Sequence, residues 1–276
     1  MFSLFSSVIF LFGMGVYAYI PHVPVNIYSR CFLPTIKGLE DIQVFEPYQV
    51  NRSNTECLVF FTGGSSVITY DIYSNLLNEV AGKNISVYIP SFRYNDYDKL
   101  IQVLSKEYKE VIGIGHSSGS STLIQKFGDK KNVQRIILMD PVDTRIVKVT
   151  KNDMKNVQEV LFLNAQKSYQ GNPIPFIPDF LKLEKKDFNF AKGYKYRLIE
   201  SAEFGHCDIL NPIYSNFMFY SKVCNGNLNR KITILNQYHR WISEKIYNFV
   251  KRIPDGDDID EDGDSDFDDE ALEEVL

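Results

Sequence analysis

The 276-residue sequence predicts an α/β fold with a mainly parallel central sheet flanked by helices. Short, nearly continuous apolar runs are typical of strands that helices cover on both faces. Six such runs lie at Cys57–Thr62, Ile85–Ile89, Val111–Gly115, Val133–Met139, Val157–Leu163 and Tyr196–Glu200. Segments of helical length separate the first four runs, at about 66–82, 96–109 and 118–130. Repeated strand–helix units of this kind predict a parallel sheet.

Two further elements complete the predicted body of the protein. Ile42–Val50 is a candidate strand at one edge of the sheet. Ile234–Ile253 has its apolar residues on one helical face, which predicts an amphipathic helix packed on the sheet. Pro254 ends that pattern. The body is therefore predicted to span residues 26–253.

The first 25 residues form a separate hydrophobic segment in this prediction. Residues 2–20 contain no charged side chain in 19 positions. A helix of that length, at about 1.5 Å per residue, nearly spans a bilayer core of about 30 Å. The lack of a basic start and of a small-residue cleavage site favours a membrane anchor over a cleaved signal peptide, and both over an arm buried in the body. We therefore expect a membrane-associated or secreted protein.

Residues 254–276 form an acidic tail that we expect to be disordered, with nine Asp, four Glu and no Lys or Arg. Removing these 13 acids from the chain's 35 leaves 22 against 30 basic residues, so residues 1–253 carry about +8. The basic side chains are scattered, which predicts no nucleic-acid partner. The cysteines show no metal-ligand spacing, and the DxDxDG pattern at 258–263 lacks the glutamate that closes a calcium loop, so no metal is expected.

Residues 115–119 read GHSSG, a G-x-S-x-G pattern between an apolar strand and a helix-like segment. A serine at a sharp strand-to-helix turn has its hydroxyl exposed above the sheet, and the flanking glycines let strand and helix approach closely. The backbone N–H that follows the serine can bind a developing oxyanion. The pattern predicts Ser117 as a nucleophile, and the alternative is a plain Gly-Ser turn.

A nucleophilic serine needs an acid and a base, which follow it in the order Ser, acid, His in this kind of fold. Among the four histidines, His206 lies in a loop after the last strand, close to the end of the body. Asp140 lies directly at the carboxyl end of its strand, where α/β sheets hold catalytic groups. Asp143 is the alternative acid. The predicted catalytic residues are therefore Ser117, Asp140 and His206.

The segment Phe61-Thr62-Gly63-Gly64, at the exit of the first clear strand, predicts the oxyanion hole. Glycines allow a backbone N–H to point at a substrate oxygen. Gly64 and Ser118 are the candidate backbone donors, and Gly63 shapes the turn.

Three motifs, GHSSG at 115–119, LMDPVD at 138–143 and GHCDIL at 205–210, resemble those of the α/β-hydrolase superfamily, and within it of lipase- and chlorophyllase-like serine esterases. The likeness covers about residues 40–253. In those families the first Asp of the Asp-Pro motif is the triad acid and a Gly-His-x-Asp segment holds the base, which implies these roles for Asp140 and His206. Ser118 stands where chlorophyllases typically have Arg. The resemblance implies ester hydrolysis through an acyl-enzyme, without metal or organic cofactor.

The function expected from the sequence is a carboxylic ester hydrolase, of the lipase or esterase type, that acts on a hydrophobic ester or lipid. The long connection between Gln166 and Gly193 is a candidate lid or acyl-pocket wall, and packing on the body is the alternative. Two other functions stay open. One is a noncatalytic membrane-anchored binding protein with the hydrolase fold, and the other is a thioesterase or acyl transferase with the same triad.

Overall fold

Strands alternate with helices along the chain, as the apolar runs predict. The computed structural model describes residues 42–47, 52–64, 68–143, 154–169, 181–182, 194–221 and 224–254. Within these residues the strands are β1 (Ile42–Phe45), β2 (Glu56–Phe61), β3 (Ser86–Pro90), β4 (Glu110–His116), β5 (Arg135–Met139), β6 (Val142–Asp143), β7 (Glu159–Ala165), β8 (Leu181–Lys182) and β9 (Lys195–Ser201). The α-helices there are α1 (Ser74–Gly82), α2 (Tyr97–Glu107), α3 (Ser118–Phe127), α4 (Pro212–Tyr220) and α5 (Ile232–Lys251).

Seven of these strands form one sheet in the order β1-β3-β2-β4-β5-β7-β9. The edge strand β1 runs antiparallel to β3, and every other neighbouring pair is parallel. Strands β6 and β8 form a separate antiparallel pair outside that sheet. A mostly parallel sheet with one antiparallel edge strand and helices on both faces is the α/β-hydrolase arrangement, so the predicted fold is confirmed.

The core consists of two apolar layers, one on each face of the sheet. Alternate residues of β2 point into opposite layers, since successive side chains of a strand face opposite ways. Val59 and Phe61 pack in the layer that contains the buried faces of α2 and α3. Leu58 and Phe60 pack in the layer that contains α1 and α5. Each fully buried side chain of this size stabilises the fold by about 1.5–3 kcal/mol.

One cation, Arg135, is buried at the amino-terminal end of the sheet, where only 1% of it is exposed. Its guanidinium lies 3.2 Å from Glu110 and 2.8 Å from Glu159, carboxylates on the two neighbouring strands. It also donates to the carbonyl oxygen of Val250, at 3.2 Å, in the last turn of α5. A cation there offsets the partial negative charge of the helix end. The residue therefore fixes the carboxyl end of α5 against β4, β5 and β7.

The differences from the predicted elements are small except at α4. The segment expected to be helical from about residue 66 forms a 3-10 turn at Tyr70–Tyr73 before α1 begins. Helix α4 and the β6–β8 pair were not predicted. The hydrophobic segment 1–25 and the acidic tail beyond Pro254 lie outside the described residues. No helix among the described residues is long and apolar enough to span a bilayer.

Candidate active site

Ser117 lies at the turn between β4 and α3, at the carboxyl end of the sheet. Its backbone has φ 56° and ψ −134°, a region that non-glycine residues rarely occupy. A Cβ on Gly115 would lie 2.7 Å from Ser120 Cα, and one on Gly119 would lie 2.3 Å from the carbonyl oxygen of Phe61. Glycine is needed at both positions because α3 begins directly against the ends of β4 and β2. The turn has the strained geometry that the G-x-S-x-G pattern predicts.

The His206 ring is hydrogen-bonded to both the serine and the acid. Its Nε2 lies 2.8 Å from Ser117 Oγ, and its Nδ1 lies 2.5 Å from Asp140 Oδ2. Since an ionised carboxylate only accepts, Nδ1 carries the proton and Nε2 accepts from the serine hydroxyl. Ser117 and Asp140 are buried, and the His206 side chain is 19% exposed. The structure thus brings the three predicted catalytic residues into one hydrogen-bonded chain.

The neighbouring strand β7 holds Asp140 in place. The Asp140 N–H donates to the carbonyl oxygen of Leu163 at 2.8 Å, and Asp140 Oδ1 accepts from the N–H of Ala165 at 3.2 Å. These contacts orient the carboxylate so that its other oxygen faces His206. Asp143, the alternative acid, ends the short strand β6, and its side chain lies outside the described residues.

The turn after β2 lies against the first residues of α3. The Thr62 hydroxyl donates to the carbonyl oxygen of Ile68 at 2.6 Å, and the Ile68 N–H donates to the carbonyl oxygen of Gly63 at 3.3 Å. Gly64 has φ 61°, in the left-handed region that favours glycine. Ser118 is the first residue of α3, where helix N–H groups carry partial positive charge. The N–H groups of Gly64 and Ser118 remain the predicted oxyanion donors.

Two residues behind the triad, Tyr73 and His116, received no role from the sequence. Tyr73 Oη accepts from the N–H of Gly63 at 3.0 Å and lies 2.8 Å from His116 Nδ1. His116 Nε2 lies 3.1 Å from the carbonyl oxygen of His206. Burial, and then the charge of His206, lower the pKa of His116 to about 3. In the sequence, the only sign of a role for His116 was its position inside the G-x-S-x-G pattern, and no pattern connects it to Tyr73.

A buried carboxylate, Asp208, anchors the loop that presents His206. Its Oδ2 accepts from the N–H of Gly205 at 2.9 Å and from the N–H of Asn227 at 2.7 Å. Its Oδ1 forms an ion pair with Arg230, which is itself nearly buried. This cluster holds both sides of the loop, so Asp208 positions the His206 backbone. The sequence showed Asp208 only as the last residue of the Gly-His-x-Asp motif.

A disulfide between Cys207 and Cys224 joins the same loop to the segment after α4, with 6.0 Å between the Cα atoms. Cys57 in β2 is a free, fully buried thiol, and burial raises its pKa well above the usual value. Cys31 lies outside the described residues. Within the described part of the chain, no group of three or more His, Cys, Asp or Glu side chains could hold a metal ion.

Comparison with known proteins gives matches among solved structures. No family model matches the sequence, and the search of curated proteins gives no match. The esterase domain of a Rhodothermus marinus protein is 11% identical, with a TM-score of 0.49 over 76% of this chain and 92% of that chain. Thermogutta terrifontis esterase 2 is 11% identical, with a TM-score of 0.46 over 82% of this chain and 96% of that chain. A fungal esterase from Rhizomucor miehei is 11% identical, with a TM-score of 0.45 over 77% of this chain and 79% of that chain.

Proposed function

We propose that the protein hydrolyses carboxylic esters through a covalent acyl-enzyme on Ser117. The observation that supports this proposal is the hydrogen-bonded chain from Ser117 Oγ through His206 to Asp140, with distances of 2.8 Å and 2.5 Å. A serine hydroxyl is a weak nucleophile unless an adjacent base takes its proton, and a base works best when a third group orients it. In this proposal Ser117 is the nucleophile, His206 is the base and Asp140 is the group that orients the base.

The proposed reaction begins with Ser117 Oγ attacking the ester carbonyl carbon while His206 Nε2 takes the hydroxyl proton. The backbone N–H groups of Gly64 and Ser118 then stabilise the negative oxygen of the tetrahedral intermediate. As the C–O bond to the alcohol breaks, His206 returns the proton to the leaving oxygen. Water, activated by His206, attacks the acyl-enzyme, and the acid is released with Ser117 restored. Asp140 holds the imidazolium in place during both halves.

We propose that the substrate is an ester with a hydrophobic acyl group. Helix α4 directly follows the loop of His206 in the sequence, and three of its apolar side chains are exposed on the described surface. They are Ile213, Phe217 and Tyr220, which are 50%, 45% and 70% exposed. The apolar residues of the long connection between β7 and β9, such as Phe176 and Phe180, add to this on sequence grounds. An apolar surface of this kind suits esters of fatty acids better than acetate.

Covalent labelling by a fluorophosphonate probe tests the catalytic proposal. Wild-type protein is expected to be labelled, and Ser117→Ala is expected to show no labelling, whereas Ser221→Ala, which alters an exposed serine at the end of α4, serves as the control. Asp140→Asn should lower kcat by about 10³- to 10⁴-fold because His206 would lose its orienting acceptor. Asp143→Asn should stay within about twofold of wild type. Folded wild-type protein that resists labelling contradicts the proposal and favours the noncatalytic binding protein.

A panel of p-nitrophenyl esters from acetyl to palmitoyl tests the substrate class. We expect kcat/KM to rise with acyl length, since each buried CH₂ contributes about 0.8 kcal/mol of transfer free energy. A preference for acetyl contradicts the lipid version of the proposal. Matched S-acyl thioesters belong in the same panel, because faster cleavage of thioesters than of esters favours a thioesterase.

A further inference from the structure

A chain of hydrogen bonds runs behind the triad. It connects the turn after β2 (Thr62–Gly64), called here the oxyanion turn, to the backbone of His206, the proposed catalytic base. It begins at the N–H of Gly63, passes through Tyr73 Oη at 3.0 Å and His116 Nδ1 at 2.8 Å, and leaves from His116 Nε2 to the carbonyl oxygen of His206 at 3.1 Å. Tyr73 is fully buried, and His116 is 3% exposed. The four residues come from three distant stretches of the sequence.

The direction of each bond follows from the donors and acceptors present. The Gly63 N–H can only donate, so Tyr73 Oη accepts from it and gives its own single proton to His116 Nδ1. A carbonyl oxygen can only accept, so His116 Nε2 carries the ring proton and donates it to His206. Every polar atom in the chain has a partner only when His116 is neutral, in the Nε2–H tautomer. A second proton on the ring would leave the Tyr73 hydroxyl without its acceptor.

The charges around His116 favour the same neutral state. Burial, and then the positive form of His206, lower the pKa of His116 to about 3, while Asp140 acts in the opposite direction. The two imidazole rings pack together, with centroids 4.7 Å apart and planes at 33°. When His206 takes the serine proton, a charged neighbour at that distance would oppose it. A neutral His116 can therefore support the base without resisting its protonation.

The packing leaves little freedom at the oxyanion end. A Cβ on Gly63 would lie 3.0 Å from Tyr73 Oη and 3.5 Å from His116 Nδ1, so glycine lets the turn approach both side chains. Gly64, the predicted oxyanion donor, is the next residue. At the other end, Asp140 fixes the His206 side chain while His116 contacts the His206 main chain.

We propose that Tyr73 and His116 are positioning residues that hold the oxyanion turn and the catalytic base in register with each other. This inference rests on the proposed function of the triad. Their hydrogen bonds go to each other and to the main chain of Gly63 and His206, not to Ser117 Oγ or the His206 ring nitrogens, so their effect should appear in kcat rather than in substrate binding. Removal of one oxyanion donor costs about 10²- to 10³-fold in kcat in serine hydrolases, and loosening its support should cost less.

The variant Tyr73→Phe removes the central hydroxyl and keeps the aromatic ring. We expect kcat on a p-nitrophenyl ester to fall about 10- to 100-fold, with KM changed by less than about threefold. Tyr88→Phe is the matched control, because Tyr88 is also fully buried and its hydroxyl lies 2.8 Å from Tyr108 Oη, away from the triad. Tyr88→Phe should lose similar thermal stability and keep the wild-type kcat. An unchanged kcat in Tyr73→Phe, or an equal loss in Tyr88→Phe, overturns the proposal.

A second measurement does not depend on turnover. In protein labelled with ¹⁵N-histidine, the His116 nitrogen shifts should show one neutral Nε2–H tautomer from pH 5.5 to 9, and Tyr73→Phe should shift them toward a tautomer mixture. Titration of wild-type His116 within that range overturns the chain of hydrogen bonds itself. Wild-type protein that keeps the tautomer but resists fluorophosphonate overturns the proposed function and, with it, the catalytic role of the pair. The two failures are therefore distinguishable.

Discussion

Acidification from pH 8 to pH 5 should destabilise the folded protein by about 4 kcal/mol through two buried histidines. Burial lowers the pKa of His116 to about 3 and that of His239 to about 4, against about 6.5 in an unfolded chain. Below pH 6.5 the unfolded state therefore binds more protons than the folded state, and stability falls with pH until the folded pKa is reached. At pH 5 the protonation of each histidine in the unfolded state lowers the free energy of unfolding by about 2 kcal/mol. That value depends little on the folded pKa, since both histidines remain neutral at pH 5.

Urea unfolding at pH 8, 6.5 and 5, followed by the fluorescence of Trp241 in α5, measures this loss. The pKa values of Glu46 and Glu56 are lowered in the folded protein from an ordinary pKa of 4.5. Their protonation therefore lowers stability mainly below pH 5, outside the range of this experiment. His239→Gln is the control: it keeps an amide donor for the carbonyl oxygen of Asp208 and removes one titrating group. The difference between pH 8 and pH 5 should shrink to about 2 kcal/mol in that variant. A free energy of unfolding that stays level or rises from pH 8 to pH 5 would refute the assignment of neutral buried histidines.

Two other predictions concern the stability of the elements that build the site. Gly119→Ala should lower the free energy of unfolding by at least about 3 kcal/mol or prevent folding, because its Cβ would lie 2.3 Å from the Phe61 carbonyl oxygen. The control Gly82→Ala, whose Cβ would have nothing within 4 Å, should stabilise α1 by about 0.5 kcal/mol. Thermal melts compare the two variants, and equal effects contradict the close packing of the turn between β4 and α3. Replacing Cys207 and Cys224 together by Ala should lower the free energy of unfolding by about 3 kcal/mol, because the cross-link joins residues 17 positions apart and so reduces the chain entropy of the unfolded state. Urea titration measures this loss, and a stability equal to wild type contradicts the role of the disulfide.

The sheet could be predicted because buried parallel strands leave a simple trace in the sequence. The runs at β2, β4 and β5 are short, apolar and bounded by turns, and the structure gives them the predicted parallel pairing. Helix α4 leaves no such trace, since PIYSNFMFY is apolar nearly throughout and has no helical period. The pairing of β6 with β8 involves two residues on each strand, too few for any period to appear.

The candidate site was predictable to the extent that its residues lie at strand ends. Ser117 and Asp140 follow their strands directly, and His206 follows β9 by a short loop, so position in the sequence indicated them before any distance was known. Tyr73 and His116 are 43 positions apart, and their contact depends on where the 3-10 turn Tyr70–Tyr73 lies relative to the end of β4. A hydrogen bond between distant residues leaves no periodicity, so sequence alone could not indicate it.

Backbone strain gives support for the site that does not depend on side-chain chemistry. Four non-glycine residues among those described have positive φ: Asn84, Ser117, Asp140 and Arg252. Asn84 lies in the tight turn between α1 and β3, where asparagine tolerates this conformation, and Arg252 caps the carboxyl end of α5 in the left-handed region. Ser117 and Asp140 have no comparable local explanation, and each lies at the carboxyl end of a strand.

The sheet itself holds these two residues in their strained conformations. The Ser117 N–H donates to the carbonyl oxygen of Met139 at 3.0 Å, and the Asp140 N–H donates to that of Leu163 at 2.8 Å. Each turn is thus bonded to the next strand, from β4 to β5 and from β5 to β7. Strain of about 1–3 kcal/mol per residue persists only where the surroundings fix it, and it concentrates at functional sites. Two strained residues on adjacent strand ends, both bonded to His206, therefore support the catalytic site proposed above.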